Sequence, residues 1–180
     1  MDLVTPIRQY KGLRPLLAGR HQLDNVVVAI RAAECVKVPK ERIEHGVNTA
    51  VWPGRLETIS GQPSFLLDGA HNEMACGVLA EFLKEFHPGG VRMIFGCMRD
   101  KKYEEMLTLL RPHAREMILT KGSSARFMEP SALLELVPGA HVESALAEAI
   151  AYARAKSSPE ETILVCGSLY LIGEARVLLQ

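Results

Sequence analysis

From residue 56 to the C-terminus, short apolar runs alternate with amphipathic stretches, and this alternation constrains the fold more than any other feature. The apolar runs predict strands at residues 56–60, 64–67, 91–95, 116–120, 140–143 and 162–166. Apolar residues at three- and four-residue spacing predict helices within residues 78–86, 106–110, 133–136, 146–153 and 171–179. Strands that alternate with helices form a mainly parallel sheet, because each crossover helix lets the next strand run in the same direction.

The order of these elements predicts an α/β fold with a Rossmann-like, mainly parallel six-stranded sheet and helices on both faces. The first two strands are an exception, since only Gly61, Gln62 and Pro63 separate them. Three residues are too few for a crossover but enough for a hairpin, so this pair should be antiparallel.

The first fifty residues follow a different pattern. Residues 1–20 show no clear periodicity and resemble the tail of a preceding region, whereas residues 21–37 and 40–48 have the spacing of helices. The Val-Trp-Pro-Gly segment at residues 51–54 then breaks the pattern, as a linker does. We therefore predict a boundary near residue 50, which separates a helical segment at residues 1–50 from a sheet domain at residues 51–180.

Composition excludes several classes of function. Lysine plus arginine equals aspartate plus glutamate, 21 against 21, so no overall charge attracts nucleic acid or an anionic membrane. The longest apolar stretches are shorter than the roughly 20 residues of a membrane span, and the N-terminus lacks a signal-peptide pattern. A cytoplasmic location is the resulting expectation.

The four cysteines are widely spaced and lie among apolar neighbours: Cys35, Cys76, Cys97 and Cys166. This arrangement favours free buried thiols over a zinc site or disulfides, because no C-x-x-C pair is present.

Three predicted strands end in turns that contain glycine, at residues 67–72, 95–98 and 166–168. Ligands of open α/β sheets bind where such turns meet, although the glycines could also serve only the turns themselves. The first turn brings Asp68 and His71 close to a helix N-terminus. These side chains could act on a ligand, or Asp68 or Asn72 could simply cap the helix.

Polar side chains also occur before the sheet domain. On the helix that starts near His21, the side chains of His21 and Asn25 lie about 40° apart at 100° per residue. The apolar side chains of Leu23, Val26 and Ile30 should face the opposite side, so the polar pair is either solvated or a ligand contact. Arg55 follows the Trp-Pro-Gly turn, where a guanidinium could bind a phosphate or a carboxylate.

Several common enzyme motifs are absent. The chain has no G-x-x-x-x-G-K-[ST] phosphate loop and no G-x-G-x-x-G dinucleotide motif, and it has no G-x-S-x-G or H-E-x-x-H motif. Fold class by itself would therefore leave the function open.

Five longer blocks point to a family. They are G-R-H-Q-L-D-N at residues 19–25, W-P-G-R-L-E at 52–57, L-D-G-A-H-N at 67–72, F-G-C-M-R-D-K at 95–101 and V-C-G-S-L-Y-L-I-G-E at 165–174. In their order and spacing the chain closely resembles the folylpolyglutamate synthase and dihydrofolate synthase family, which is related to the Mur ligases of cell-wall synthesis. The D-G-A-H-N block is similar to the folate branch in particular.

The resemblance implies the C-terminal part of an ATP-dependent ligase that joins L-glutamate to a carboxylate of folate or dihydropteroate through an acyl phosphate. In such enzymes ATP binds between this domain and an N-terminal phosphate-loop ATPase domain, which also supplies the Mg²⁺ ligands. Residues 1–50 would then be the end of the ATPase domain plus a linker, and the chain alone should be inactive.

The resemblance also implies roles for single residues. Asn25, Arg55 and Asp68 are similar to the family's ATP contacts, with Asn25 on the adenine side, and His71 and Ser168 are similar to its glutamate contacts. No catalytic residue and no metal ligand is carried over to this chain. The alternatives are the C-terminal domain of another Mur-type amino-acid ligase and a non-catalytic nucleotide-binding module.

Overall fold

The computed structural model describes all residues, 1–180, and divides them into two compact units. The first unit comprises Met1–Leu56 and the second Glu57–Gln180. No helix in either unit has both the length and the apolar composition needed to cross a membrane.

The smaller unit consists of a β-hairpin and two helices. Strands β1 (Leu3–Val4) and β2 (Gln9–Tyr10) pair antiparallel, and helices α1 (Arg20–Cys35) and α2 (Lys40–Thr49) follow. Both helices confirm the sequence predictions, whereas the hairpin lies in the segment where the sequence showed no pattern. The core of this unit contains the side chains of Tyr10, Leu13, Val26, Ile30 and Ile43.

The buried side of α1 includes the predicted Val26 and Ile30 but not the predicted Leu23. Its buried residues are Gln22, Val26, Ile30 and Glu34, whereas Leu23 is 41% exposed. Polar side chains thus take two of the four buried positions, and apolar periodicity could not identify them. Glu34 accepts hydrogen bonds from Thr5 Oγ1 at 2.8 Å and from Tyr10 Oη at 3.0 Å, which fastens the hairpin to the helix.

The larger unit contains a six-stranded sheet in the order β3-β4-β8-β5-β6-β7. These strands are β3 (Glu57–Ile59), β4 (Ser64–Leu67), β5 (Val91–Phe95), β6 (Ala114–Leu119), β7 (His141–Val142) and β8 (Thr162–Cys166). β3 and β4 form the predicted antiparallel hairpin, and every other neighbouring pair is parallel. The predicted α/β class and the six strands are therefore confirmed.

The larger unit has four α-helices, three of which connect successive strands of the sheet, and the last follows β8. They are α3 (Glu73–Phe86), α4 (Tyr103–Leu110), α5 (Leu146–Lys156) and α6 (Leu169–Leu179). Buried side chains of α5 and α6 pack with those of Phe65, Ile118 and Ile163 in one core cluster. The connection from β7 through α5 to β8 crosses the sheet towards β4, whereas the connections from β4 to β5 and from β5 to β6 cross it towards β7. Because crossovers are right-handed, α3 and α4 lie on the face opposite to α5.

One predicted helix of the larger unit is wrong. The segment around Leu133, Leu134 and Leu136 forms only a 3₁₀ turn at Pro130–Leu133. Pro130 and Pro138 bracket this segment, and the residue before a proline disfavours the α conformation, so too few residues remain for an α-helix. Leu133 and Val137 are nevertheless buried, which explains why the apolar spacing resembled that of a helix.

Candidate functional site

The carboxyl ends of the parallel strands form one rim of the sheet, and three of the loops at this rim are connected by backbone hydrogen bonds. The N–H of Asp68, after β4, donates to the carbonyl of Val165 in β8 at 3.1 Å. The N–H of Gly167, after β8, donates to the carbonyl of Ala70 at 3.1 Å. The N–H of Gly96, after β5, donates to the carbonyl of Cys166 at 3.3 Å. The loops that carry Asp68, His71 and Ser168 therefore lie side by side.

This rim includes the topological switch of the sheet. β8 lies between β4 and β5. The chain leaves β8 towards the face that α6 covers, whereas it leaves β4 and β5 towards the opposite face. Loops that diverge in this way open a crevice at the carboxyl ends of the strands, which is where ligands of open α/β sheets bind. Ser168 lies at this switch point, next to the loop of Asp68.

Asp68 is buried, with 7% of its surface exposed, and it organises its own loop. Its Oδ1 accepts a hydrogen bond from the N–H of Ala70 at 2.9 Å, which is an Asx-type turn. Asn72 is the residue that caps α3, because its Oδ1 accepts from the N–H of Ala75 at 2.8 Å. The alternative that Asp68 caps the helix is therefore wrong, and the same alternative for Asn72 is confirmed.

The ring of His71 has a defined tautomer. Its Nδ1 lies 2.8 Å from the carbonyl oxygen of Gly69. A carbonyl oxygen can only accept, so Nδ1 carries the proton of the neutral ring and Nε2 carries the lone pair. The ring is partly exposed. His71 can therefore present a hydrogen-bond acceptor at Nε2.

Ser168 directly precedes α6 and is almost completely buried, at 2% exposure. Its Oγ accepts from the N–H of Tyr170 at 3.2 Å, so the hydroxyl caps the helix and keeps its own proton as a donor. The N-terminal N–H groups of an α-helix favour a negatively charged ligand. Ser168 and the first turn of α6 thus place several donors at this rim of the sheet.

The two glycines at Gly96 and Gly167 have a structural explanation. A Cβ atom on Gly96 would lie 2.5 Å from the carbonyl oxygen of Thr120, and one on Gly167 would lie 2.6 Å from the carbonyl oxygen of Gly96. Gly167 also has a φ angle of +102°, which side chains disfavour. For these two positions the close packing of the loops requires glycine.

The sequence analysis missed Thr120, which directly follows β6. Its side chain is fully buried, and its Oγ1 has no hydrogen-bond partner. Thr120 belongs to the same rim, because its N–H donates to the carbonyl of Phe95 at the end of β5. The signal in the sequence was a hydroxyl residue at the end of a buried apolar strand.

Buried thiols lie beneath the rim. Cys76, Cys97 and Cys166 are free and fully buried, as the sequence predicted, whereas Cys35 is exposed and does not fit that prediction. Burial raises the pKa of the Cys76 and Cys97 thiols to about 12 and raises that of Cys166 as well. Burial thus favours the protonated form of these thiols, which is a poor nucleophile.

The smaller unit contains the other predicted site residues, Asn25 and Arg55. Asn25 is exposed on α1, and its Nδ2 donates to Gln22 Oε1 at 3.0 Å. Nε2 of Gln22 lies 3.0 Å from Nε2 of His21, so the three side chains form a chain of hydrogen bonds. Arg55 is partly exposed and follows Gly54, whose φ angle is +74°.

Neither unit contains a cluster of side chains that could act as metal ligands. No group of three or more His, Cys, Asp and Glu side chains lies close enough together to hold a metal ion. The rim therefore offers hydrogen-bond donors and acceptors rather than a cluster of metal ligands.

The fold and these residues can be compared with known proteins. Residues 54–169 match the family model described as "Mur ligase, glutamate ligase domain". The chain is 37% identical over 169 residues to a probable bifunctional folylpolyglutamate synthase/dihydropteroate synthase of Haloferax volcanii, covering 90% of this chain and 20% of the relative. It is 32% identical over 181 residues to the dihydrofolate synthase/folylpolyglutamate synthase of Bacillus subtilis, covering 93% of this chain and 41% of the relative.

A solved structure has the same fold. It is the bifunctional folylpolyglutamate synthase/dihydrofolate synthase of Yersinia pestis complexed with AMPPNP and a manganese ion, with a TM-score of 0.85 and 27% identity. The match covers 97% of this chain and 42% of that one. The chain thus spans less than half the length of each of these three proteins.

Proposed function

Because the chain belongs to the Mur ligase family through its glutamate ligase domain, we propose that it is the C-terminal part of an ATP-dependent ligase that adds L-glutamate to a folate or dihydropteroate carboxylate. The named relatives, which are folylpolyglutamate and dihydrofolate synthases, support the folate branch of the family. The single observation that carries the proposal is the adjacency of Asp68, His71 and Ser168 at one rim of the sheet.

We assign the two parts of the chain accordingly. Residues 1–50 are the end of a central ATPase domain plus a linker, and residues 51–180 are the glutamate ligase domain. The partner of this chain is then an ATPase domain with a phosphate loop, which the 180 residues do not contain.

The nucleotide contacts in this proposal are Asn25, Arg55 and Asp68. Asn25 binds the adenine edge, since a carboxamide offers both a donor and an acceptor. The guanidinium of Arg55 binds a phosphate, and Asp68 accepts a hydrogen bond from the ribose or orients the phosphate end. The buried Asx turn that holds the Asp68 carboxylate in place supports this role.

The glutamate contacts are His71 and Ser168. The first turn of α6 and the Ser168 hydroxyl donate to a carboxylate of L-glutamate, and the lone pair on His71 Nε2 accepts a hydrogen bond from the glutamate amine. Such contacts orient the amine for attack, and orientation can supply a large part of the acceleration in a reaction with two substrates.

ATP and Mg²⁺ supply the activation: the substrate carboxylate takes the γ-phosphoryl group, and the cation neutralises the charge on that group. The described residues hold no metal-binding cluster, so we assign the Mg²⁺ ligands to the ATPase domain. This chain then holds the nucleotide and the amino acid, and it should not ligate glutamate without that domain.

The test is ATP-dependent incorporation of labelled L-glutamate, measured with dihydropteroate, with tetrahydrofolate and with a peptidoglycan precursor. The chain is assayed alone and joined to the part of the Bacillus subtilis relative that this chain does not cover, where the proposal expects the ATPase domain. We expect no incorporation by the chain alone and incorporation into a folate substrate by the joined protein. Incorporation into only the peptidoglycan precursor would reject the folate assignment, and turnover by the chain alone would reject the assigned division of labour.

A second measurement tests the glutamate site in the chain alone, in case the joined protein does not assemble. Titration of the chain with L-glutamate, followed by NMR, should shift the backbone signals of residues 68–72 and 167–170. Shifts at other places, or none at saturating glutamate, would contradict the glutamate site.

A further inference from the structure

Gln22 is an unusual residue for the interior of the smaller unit. It lies in the first turn of α1 and is only 8% exposed, whereas the neighbouring apolar Leu23 is 41% exposed. Burying a carboxamide is costly unless its donor and acceptor are both used. The side chain of Gln22 uses both, and its two partners are His21 and Asn25.

The two hydrogen bonds of Gln22 have a direction. Asn25 Nδ2 donates to Gln22 Oε1, which leaves the Gln22 amide nitrogen pointing at His21 Nε2. An amide nitrogen can only donate, so His21 Nε2 accepts and the ring proton of the neutral histidine is on Nδ1. The lone pair of His21 thus sets the orientation of Gln22, and Gln22 sets the orientation of Asn25.

The ring of His21 is itself held in place by a close contact. A Cβ atom on Gly19 would lie 2.7 Å from His21 Cε1 and 2.9 Å from Nδ1, so the ring packs against the glycine backbone. Gly19 has a φ angle of +95°, and its carbonyl accepts from the N–H of Gln22 at 3.0 Å. The start of the helix therefore fixes the first member of the chain of hydrogen bonds.

The consequence for Asn25 follows from counting its hydrogen-bonding groups. A carboxamide has two N–H donors and one acceptor oxygen, and Gln22 takes one of the donors. One donor and the oxygen remain for a ligand. This pair matches the N7 and 6-amino edge of adenine, which offers one acceptor and one donor. The corresponding edge of hypoxanthine or guanine offers two acceptors and requires two donors.

We propose that Gln22 is a positioning residue that makes the nucleotide site select adenine, by fixing the carboxamide of Asn25 with its oxygen available to the 6-amino group. This inference rests on the proposed role of Asn25 in ATP binding. Gln22 itself does not touch the nucleotide, and its effect passes through Asn25.

Two substitutions separate this role from a structural one. Gln22→Met keeps the length of the side chain but removes the acceptor for Asn25, so the Asn25 carboxamide can turn and present both donors. Gln22→Glu keeps an oxygen that accepts from Asn25. Gln9→Met, at an exposed position of the same unit, is the control for the substitution itself.

The measurement is competition between ATP and inosine triphosphate, which carries hypoxanthine and has an oxygen in place of the 6-amino group of adenine. One mismatched edge corresponds to about a tenfold preference. We expect the full chain and its Gln9→Met variant to prefer ATP about tenfold, Gln22→Glu to keep most of this preference and Gln22→Met to lose most of it.

The possible failures are distinct. If the unsubstituted chain binds ATP but Gln22→Met keeps the tenfold preference, or if Gln22→Met and Gln22→Glu lower it equally, the inference is wrong and the proposed function stands. If the unsubstituted chain does not bind ATP by itself, the competition is repeated in the joined protein. Equal binding of ATP and inosine triphosphate there would overturn the inference, and the incorporation assay still decides the proposed function. Imidazole nitrogen NMR of the ligand-free chain at pH 8 gives an independent check, because His21 must carry its proton on Nδ1, and a proton on Nε2 would overturn the inference.

Discussion

The two ends of the parallel strands in the larger unit carry different kinds of polar groups. Near the amino ends, Arg92 is almost fully buried, and its guanidinium contacts Glu116 Oε2, Glu161 Oε2 and Ser157 Oγ. Tyr152 adds a hydrogen bond to Glu116 Oε1 at 3.0 Å. The charges at this end are neutralised by one another.

At the carboxyl ends the polar groups hold backbone turns instead. Asp68 and Ser168 each accept from a backbone N–H two residues further along the chain, and His71 contacts the carbonyl of Gly69. The hydroxyl of Thr120 has no partner. Side chains fixed by their own backbone suit ligand binding, whereas side chains that satisfy each other suit stability.

The largest effect on stability should come from Arg92, near the amino ends of the strands. Arg92→Met removes the buried cation that donates charge-assisted hydrogen bonds to the partly exposed carboxylates of Glu116 and Glu161. The loss of these bonds should lower the free energy of unfolding by about 3 kcal/mol. Urea denaturation of the chain measures this loss. Arg126→Met, at an exposed residue whose ion pair with Asp100 spans 3.8 Å, is the control and should change stability by less than about 1 kcal/mol. Equal losses in both variants would contradict the distinction.

Substitution of Asp68, at the carboxyl ends of the strands, should lower activity rather than stability. In the joined protein, Asp68→Ala should lower the rate of glutamate incorporation about 100-fold, since a misplaced nucleotide costs a factor of this size. Asp68→Asn keeps an oxygen for the N–H of Ala70, so it should preserve the turn while still lowering the rate. Denaturation midpoints close to that of the unsubstituted protein would show that the loss concerns activity. An unchanged rate in both variants would remove Asp68 from the site.

Close backbone packing at the carboxyl end provides a third test. Gly96→Ala would place a methyl group 2.5 Å from the Thr120 carbonyl, and we expect a loss of about 2 kcal/mol because backbone must move. Gly77, in α3, has open space around it, so Gly77→Ala should stabilise by up to about 1 kcal/mol through helix propensity. Thermal denaturation compares the two, and a stable Gly96→Ala protein would show that the rim is looser than its contacts suggest.

The sequence predicted the sheet well because strands buried on both faces are continuous apolar runs. β4, β5 and β8 begin and end at the predicted residues, and the rim loops follow from the strand ends. The sequence failed where polar groups replace apolar ones in the interior, as at Gln22 and Glu34. Each of them is buried only because specific partners satisfy it, and apolar periodicity carries no information about such partners. Thr120 was missed for a different reason, because its hydroxyl has no partner and it directly follows the apolar end of β6.

The smallest effect should be an acid-dependent loss of stability that arises from the carboxylates near the amino ends of the strands. Burial opposes ionisation of Glu116, but hydrogen bonds from Arg92 and Tyr152 outweigh it and lower its pKa, and a hydrogen bond from Arg115 is the main cause that lowers the pKa of Glu161. A carboxylate with a lowered pKa in the folded state stabilises the fold above its unfolded pKa of about 4.3, and this contribution is lost as the pH falls below that value. The melting temperature should therefore drop between pH 5 and pH 3, and Arg92→Met should show a smaller drop because Glu116 has lost its cation, whereas Glu161 keeps Arg115. An equally steep drop in Arg92→Met would mean that other carboxylates, such as Glu34, dominate the acid response.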